Sequence, residues 1–458
     1  MKIQAKNPVY KATRNACKLC TPLGASLAFK GVRGAISMLH GSQGCATYIR
    51  RYLISHYKEP IDIASTNFSE ETAVFGGGIN LKTGLDNITR QYAPEMIGIA
   101  TTCLSETIGD DVSMFLDRYL RENHSLDIPK LVHVSTPSYS GTHRKGYNDA
   151  VLAMVRQLAD PGFQDSEKVS DVNMFPGMVS PADLRHLKEI MADFGLRTIM
   201  LPDYSETLDG GLWGSYQKIP QGGTSVDDIV TMAGNQASIE FGHVLSSEPS
   251  AGKYLEDTCR VPCHAMGLPI GIRETDTLMR KLNELSGQDT PAKYAGERAR
   301  LVDAYVDGHK YTSGKTAAVF GDEELVVGMA GFLSEIGISP IICATGGVSG
   351  MLTDKIRQVT EGVGQMPLHI AEDADFVDLE DIVKEEKPDI LVGSSKGYSV
   401  SRMTGIPLVR VGFPIHDRIG GQRLLHVGYR GTQALFDTIV NTLIDHMQTT
   451  TTVGYSYI

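Results

Sequence analysis

The sequence predicts an α/β protein built from three doubly wound, Rossmann-like domains with parallel sheets. Three observations carry that prediction. Short apolar runs that end in Gly, Thr or Cys alternate with longer amphipathic stretches, the pattern of strand–helix–strand crossovers. The alternation restarts twice, near Val172 and near Thr316. The length of 458 residues fits about three domains of ordinary size. On the chain these are expected at 1–168, 169–314 and 315–458.

Residues 1 to about 14 are polar and expected to be irregular. Beyond a turn at Cys20, Gly24–Phe29 has helical spacing. Ala35–Leu39 reads as a short buried strand that runs into a loop from His40 to Cys45. Ala46–His56 reads as a helix, ended by Glu59-Pro60 because a residue before proline leaves the helical region. Phe75-Gly-Gly-Gly-Ile79 opens the next helix, Met96–Ala100 is a strand, a helix starts near Asp110, and Leu131–Val134 is a strand.

The second unit begins with a strand and turn over Val172–Gly177. Pro181–Phe194 is an amphipathic helix with proline in its first turn. Thr198–Pro202 is a strand, and the Gly-, Asp- and Ser-rich stretch 203–225 is a long loop. Asp227–Ala233, Ser238–Phe241 and Thr275–Leu285 continue the alternation. Residues 291–312 are expected to form a charged, exposed connector helix. In the third unit Ala317–Gly321, Pro340–Ala344, Asp389–Gly393 and Pro407–Gly412 are strands. Glu323–Ile336 and Gly431–Met447 are helices.

The apolar content of 41% is ample for several cores, and 21% of the residues are charged. The net charge of −11, with no basic block, argues against a nucleic-acid partner. The opening Met1-Lys-Ile-Gln-Ala-Lys-Asn7 lacks the apolar core of a signal peptide, and no apolar run reaches the roughly 20 residues of a membrane span. A cytoplasmic protein without a membrane partner is expected. Seven cysteines in such a chain read as free, buried or metal-bound thiols rather than disulfides.

Cys20 and Cys45 sit in turns rich in Gly and Pro, and Cys103 ends the apolar run from Met96. Thiolates on turns and strand ends suit an iron–sulfur cluster, because soft sulfur holds iron and small neighbours admit the inorganic sulfides. Ligand sites of doubly wound sheets lie at carboxyl ends of strands, where Cys103 falls and which Cys45 follows. Cys17 and Cys20 form a CxxC, which alone reads as a redox pair, half a zinc site or neither. No second CxxC stands at zinc spacing. Cys343 fits a packing residue inside its strand, and Cys259 and Cys263 have no assigned role. His40, His56 and His143 read as structural rather than as ligands. Gly308 to Thr316 imitates a phosphate loop, but its glycines are one residue too far apart and a helix precedes it. Gly346-Gly-Val-Ser-Gly350 is too weak a pattern to signify a nucleotide.

Several motifs together resemble the β-type subunit of nitrogenase component 1 proteins. They are Cys20-Thr-Pro-Leu-Gly-Ala25, His40-Gly-Ser-Gln-Gly-Cys45, His56-Tyr-Lys-Glu-Pro60, Ala73-Val-Phe-Gly-Gly77 and Thr101-Thr-Cys-Leu-Ser-Glu-Thr-Ile-Gly-Asp-Asp111. Thr136-Pro-Ser-Tyr-Ser-Gly141, Gly412-Phe-Pro-Ile-His-Asp-Arg418 and Val427-Gly-Tyr429 extend the match, in order, nearly to the end of the chain. The resemblance implies the nitrogenase component 1 type of α/β fold. It also implies that Cys20, Cys45 and Cys103 ligate half of an [8Fe-7S] P-type cluster, with Cys45 bridging and Ser138 joining on oxidation. The other half belongs to an α-type subunit in a heterotetramer, and an ATP-hydrolysing iron protein docks near Leu104–Asp111. Three kinds of protein share this pattern. One is a reductase of methylthio-alkanes, the favoured reading; another is a dinitrogen-reducing nitrogenase β chain. The third is a cofactor-assembly scaffold, for which a [4Fe-4S] cluster replaces the larger one.

Overall fold

The structure, a computed structural model, describes residues 13–125, 128–165 and 169–452. Of the opening segment expected to be irregular, residues 1–12 lie outside the described ones. The described chain forms three sheets whose strand pairs are all parallel.

The first sheet comes from α1 (Thr21–Phe29), β1 (Ala35–His40), α2 (Gln43–Tyr57), β2 (Ile63–Ser65), α3 (Glu70–Phe75), α4 (Gly78–Tyr92), β3 (Met96–Thr101), α5 (Cys103–Ile108), α6 (Val112–Glu122), β4 (Lys130–Val134) and α7 (His143–Leu158). Its order is β2-β1-β3-β4, so the winding reverses between β1 and β3. Both central strands are buried along their whole length, which is why they read as continuous apolar runs rather than alternating ones. Two elements start earlier than the periodicity predicts. Thr21-Pro22 opens α1 because proline suits a first helical turn, and Ser42 caps α2 by accepting from the Gly44 N–H at 3.2 Å. Cys45 therefore lies in the first turn of a helix, not in a loop.

The second sheet, ordered β6-β5-β7-β8, is made by β5 (Val169–Phe175), α8 (Pro181–Asp193), β6 (Thr198–Met200), α9 (Val226–Thr231), β7 (Asn235–Phe241), α10 (Ala251–Cys259) and β8 (Cys263–Met266). Helices α11 (Gly271–Ser286) and α12 (Ala292–Thr312) follow. The long loop between β6 and α9 stands as expected. Helix α12 differs from the exposed connector its charges predict. It packs against the closing helix, with Tyr294 and Leu301 fully buried and the Tyr294 hydroxyl donating to Asp193 at 2.7 Å.

The third sheet has the order β11-β10-β9-β12-β13. It uses β9 (Thr316–Gly321), α13 (Glu323–Glu335), β10 (Ser339–Thr345), α14 (Leu352–Thr360), β11 (His369–Ala371), α15 (Phe376–Glu386), β12 (Ile390–Gly393), α16 (Tyr398–Thr404) and β13 (Leu408–Arg410), and closes with α17 (Gly428–Thr450). One apolar core runs through all three groups of elements, joining residues such as Phe29, Met174 and Val319. No described helix is long and apolar enough to cross a membrane.

Candidate functional site

The reversal between β1 and β3 is where a doubly wound sheet opens a crevice at its carboxyl edge. Chain geometry brings the three cysteines there from three helix starts. Cys20 is the N-cap of α1, in extended conformation (φ −68°, ψ 148°). Cys45 is in the first turn of α2, and Cys103 is the first residue of α5, behind the Thr102 cap. The thiols are near enough for Cys45 and Cys103 both to act on the charge of Cys20, and Cys103 on that of Cys45.

Two opposing effects act on these sulfurs. Helix N-termini and backbone N–H groups favour thiolate. Burial opposes it and wins: desolvation pushes Cys20 up to about 12, and the neighbouring thiols add to the rise despite the N–H of Leu23. Cys45 is likewise raised, first by burial and then by Cys103. A positive metal centre would reverse that balance, because a coordinating thiol is deprotonated.

Ser138 lies in the turn after β4 and joins two of the ligand arms. Its N–H donates to Cys103 Sγ at 3.2 Å, and its Oγ accepts from the Thr21 N–H at 3.3 Å, one residue past Cys20. Among the described residues no group of three His, Cys, Asp or Glu is arranged to hold a single metal ion. Soft sulfur donors carried on separate arms are of the kind that hold an iron–sulfur body. Cys45 is exposed, as are the neighbouring Leu104, Tyr48 and Tyr139, the last at 69%. The site opens outward and is not enclosed by its own chain.

Each of the three histidines has one ring nitrogen in a hydrogen bond within the chain. His40 Nε2 meets Asp110 Oδ2 at 2.9 Å, and Asp110 also accepts from the Gly77 N–H at 2.9 Å. His56 Nδ1 accepts from the Ile415 N–H at 2.8 Å, and burial holds its pKa down to about 3. His143 Nδ1 accepts from the Leu19 N–H at 3.2 Å, immediately before Cys20.

Cys17 is buried away from the other thiols' surface, and desolvation pushes it up to about 12. Cys343 is fully buried in β10 and Cys259 is buried at the end of α10. Cys263 Sγ lies 4.0 Å from the Glu240 carboxylate. The imitation phosphate loop is the C-terminus of α12 and the turn before β9. Gly346 and Gly347 are tight because Cys17 and Glu323 fill the space beside them. A cavity of about 760 Å³, lined by residues of α3, α4 and α6 including Phe75, Lys82 and Arg118, touches none of the cysteines.

Lys396 is a residue that sequence reasoning passes over. Lys396 Nζ donates to the carbonyls of Ala16 and Lys18, across about 380 residues of chain. No local pattern signals such a contact.

The family model described as nitrogenase component 1 type oxidoreductase matches residues 20–444. The chain is 35% identical over 440 residues to the nitrogenase molybdenum-iron protein beta chain of Clostridium pasteurianum, covering 96% of this chain and 95% of that one. It is 33% identical over 441 residues to the nitrogenase iron-molybdenum cofactor biosynthesis protein NifN of Bradyrhizobium diazoefficiens, covering 96% and 91%. A solved structure titled nitrogenase Cp1 at pH 6.5 superposes with a TM-score of 0.93 at 33% identity, over 99% of this chain and 98% of that one. With this fold, this order of motifs and this breadth of identity, the chain belongs to the nitrogenase component 1 type oxidoreductase family.

Proposed function

We propose that this chain is the β-like subunit of a nitrogenase-like two-component reductase. In it Cys20, Cys45 and Cys103 hold half of an [8Fe-7S] P-type cluster, and an α-type subunit holds the other half. The observation that carries the reading is the convergence of three thiols, on three helix starts, at the outward-facing mouth of the first sheet's crevice. When bound, the cluster supplies reversible electron storage between an ATP-dependent iron protein and the catalytic cofactor of the partner.

The chain's own residues perform the rest. Helix N-termini stabilise the thiolates. The Ser138 N–H, donated to Cys103 Sγ, tunes the electron density on that sulfur. The Ser138 hydroxyl is the hard oxygen donor that oxidised iron prefers. Leu104 to Asp111, on α5 and the turn after it, is the segment assigned to docking the iron protein. The three domains are proposed at 1–168, 169–314 and 315–458, one sheet in each.

Methylthio-alkanes as substrate are not part of this proposal. The relatives described above are a nitrogenase β chain and a cofactor-biosynthesis protein, and substrate contacts belong to the α-type partner. The NifN relative, a cofactor biosynthesis protein, supports a second reading, an assembly scaffold, for which the resemblance implies a [4Fe-4S] cluster.

Anaerobic co-expression with the α-type partner tests the proposal. The expected product is a coloured heterotetramer whose EPR redox titration gives a multi-electron P-type signal and whose turnover needs ATP and an iron protein. A folded, colourless monomer counts against it. Paired [4Fe-4S] signals with cofactor handed to another protein, and no substrate reduction, favour the scaffold.

A further inference from the structure

The crevice of the third sheet is occupied by the chain itself. Its strand order reverses between β9 and β12, and the carboxyl ends of those strands are where a doubly wound sheet receives a ligand. The segment from Arg14 to Leu19 lies there instead. The backbone N–H groups of Gly321 and Gly346 face the sulfur of Cys17. A Cβ on Gly346 would come within 2.5 Å of the Cys17 carbonyl oxygen, so the two backbones are in close contact. The Cys17 N–H donates to Ala374 O at 2.9 Å, and the Phe376 N–H donates to Asn15 O at 2.9 Å. Asp375 Oδ2 accepts from the N–H groups of Arg14 and Asn15, both at 2.7 Å.

Lys396, just beyond β12, completes this grip. Its ammonium donates to Ala16 O and, at 3.4 Å, to Lys18 O, the carbonyls on either side of Cys17. Its Nζ also stands 5.5 Å above the Phe376 ring. Lys396 enters no ion pair among the described residues, unlike the half-buried Lys18 with Asp373 at 2.7 Å. One residue further on, His143 holds both polar groups of Leu19: its N–H donates to Leu19 O at 3.0 Å and its Nδ1 accepts from the Leu19 N–H. The next residue is Cys20.

We propose that Lys396 is a positioning residue for Cys20. By holding the carbonyls of Ala16 and Lys18 it lets the third sheet fix the approach of the Cys20 thiolate to the cluster. The ligand site is then built by the first and third sheets together. The proposal rests on the cluster reading above. It makes Lys396 an outer support of a ligand, the kind of group whose loss weakens metal retention by about tenfold or more.

The experiment uses the anaerobically purified complex with the α-type partner, titrated with a ferrous-iron chelator. For Lys396→Met the chelator concentration that removes half the iron is expected to fall about tenfold, with an altered P-type EPR spectrum. Lys396→Arg should restore both, and Lys396→Gln, which keeps one donor group, should fall between them. If Lys396→Met does not assemble, the comparison of Gln with Arg decides in the same way. A lysine that only stabilises the fold would lower the thermal midpoint and leave chelator resistance and EPR spectrum as in the wild type; that result overturns the proposal. A wild-type complex lacking any iron–sulfur signal overturns the cluster reading instead.

Discussion

At the scale of single residues, the two cysteines of different exposure make opposite predictions. Cys45 is exposed at a helix start beside the other thiols, whereas the Cys17 sulfur is packed under Gly321 and Gly346. Cys45→Ala is expected to lose cluster iron. Cys17→Ala should keep it, because the clamp on that segment acts through backbone carbonyls. Equal iron loss from both, measured by metal analysis, would reverse the assignment. Ser138→Ala removes the acceptor of the Thr21 N–H but retains the N–H that reaches Cys103. The oxidised-state EPR signal should shift while the reduced cluster stays intact. His56 supplies a pH prediction. Burial lowers its folded pKa from 6.5 to about 3, so the unfolded chain takes up the proton first. Its stabilising contribution is complete above pH 6.5 and lost as pH falls from 6.5 towards 3. The loss is about 2 kcal/mol between pH 7 and 5. Urea unfolding at several pH values should give a shallower acid slope for His56→Asn than for the wild type.

At the scale of elements, the site depends on how closely α1 meets α7. Every residue of α1 is buried, including the turn that begins at Cys20. The approach requires two glycines. A Cβ on Gly24 would sit 1.7 Å from the His143 carbonyl oxygen, and one on Gly146 would sit 1.9 Å from that of Thr21. Neither contact is with a side chain that can swing away, so Gly146→Ala forces the helices apart. The expected cost is about 3 kcal/mol in urea unfolding, at the upper end for overpacking, accompanied by weaker iron retention because Thr21 adjoins Cys20. Wild-type stability and iron content would show that the helices separate without penalty. The same pair of helices explains a gap in the sequence reading. Arg144 looks like a solvent-facing residue, yet it is buried beside His143, so α7 has no clean amphipathic stripe. Strands β8 and β11, four and three residues long on sheet edges, are likewise too short for a period to register.

At the scale of the whole molecule, Arg144 ties the three groups of elements together. Its guanidinium reaches Glu248 at 3.0 Å, Glu323 at 2.9 Å and Glu324 at 3.7 Å, with only 5% of its side chain exposed. Glu324 in turn accepts from the N–H groups of Val244 and Leu245. A buried arginine among carboxylates adds little net stability, but removing it strands their charge. Arg144→Met should therefore cost about 3–5 kcal/mol in denaturant unfolding of the complex. An unshifted transition would show that the carboxylates find other partners or take up protons.

The local order of strands and helices was legible in the sequence, because buried parallel strands are apolar runs and each crossover carries its own turn residues. Cys20, Cys45, Cys103 and Ser138 stood out as candidates because each lies within a contiguous motif. Only the tertiary structure decided what holds those residues in place. Lys396 meets Ala16, His143 meets Leu19, and Arg144 meets Glu323 across separations of 380, 124 and 179 residues. These contacts depend on how sheets and helices pack, and a sequence period records only which face of an element is buried, not which distant residue will cover it.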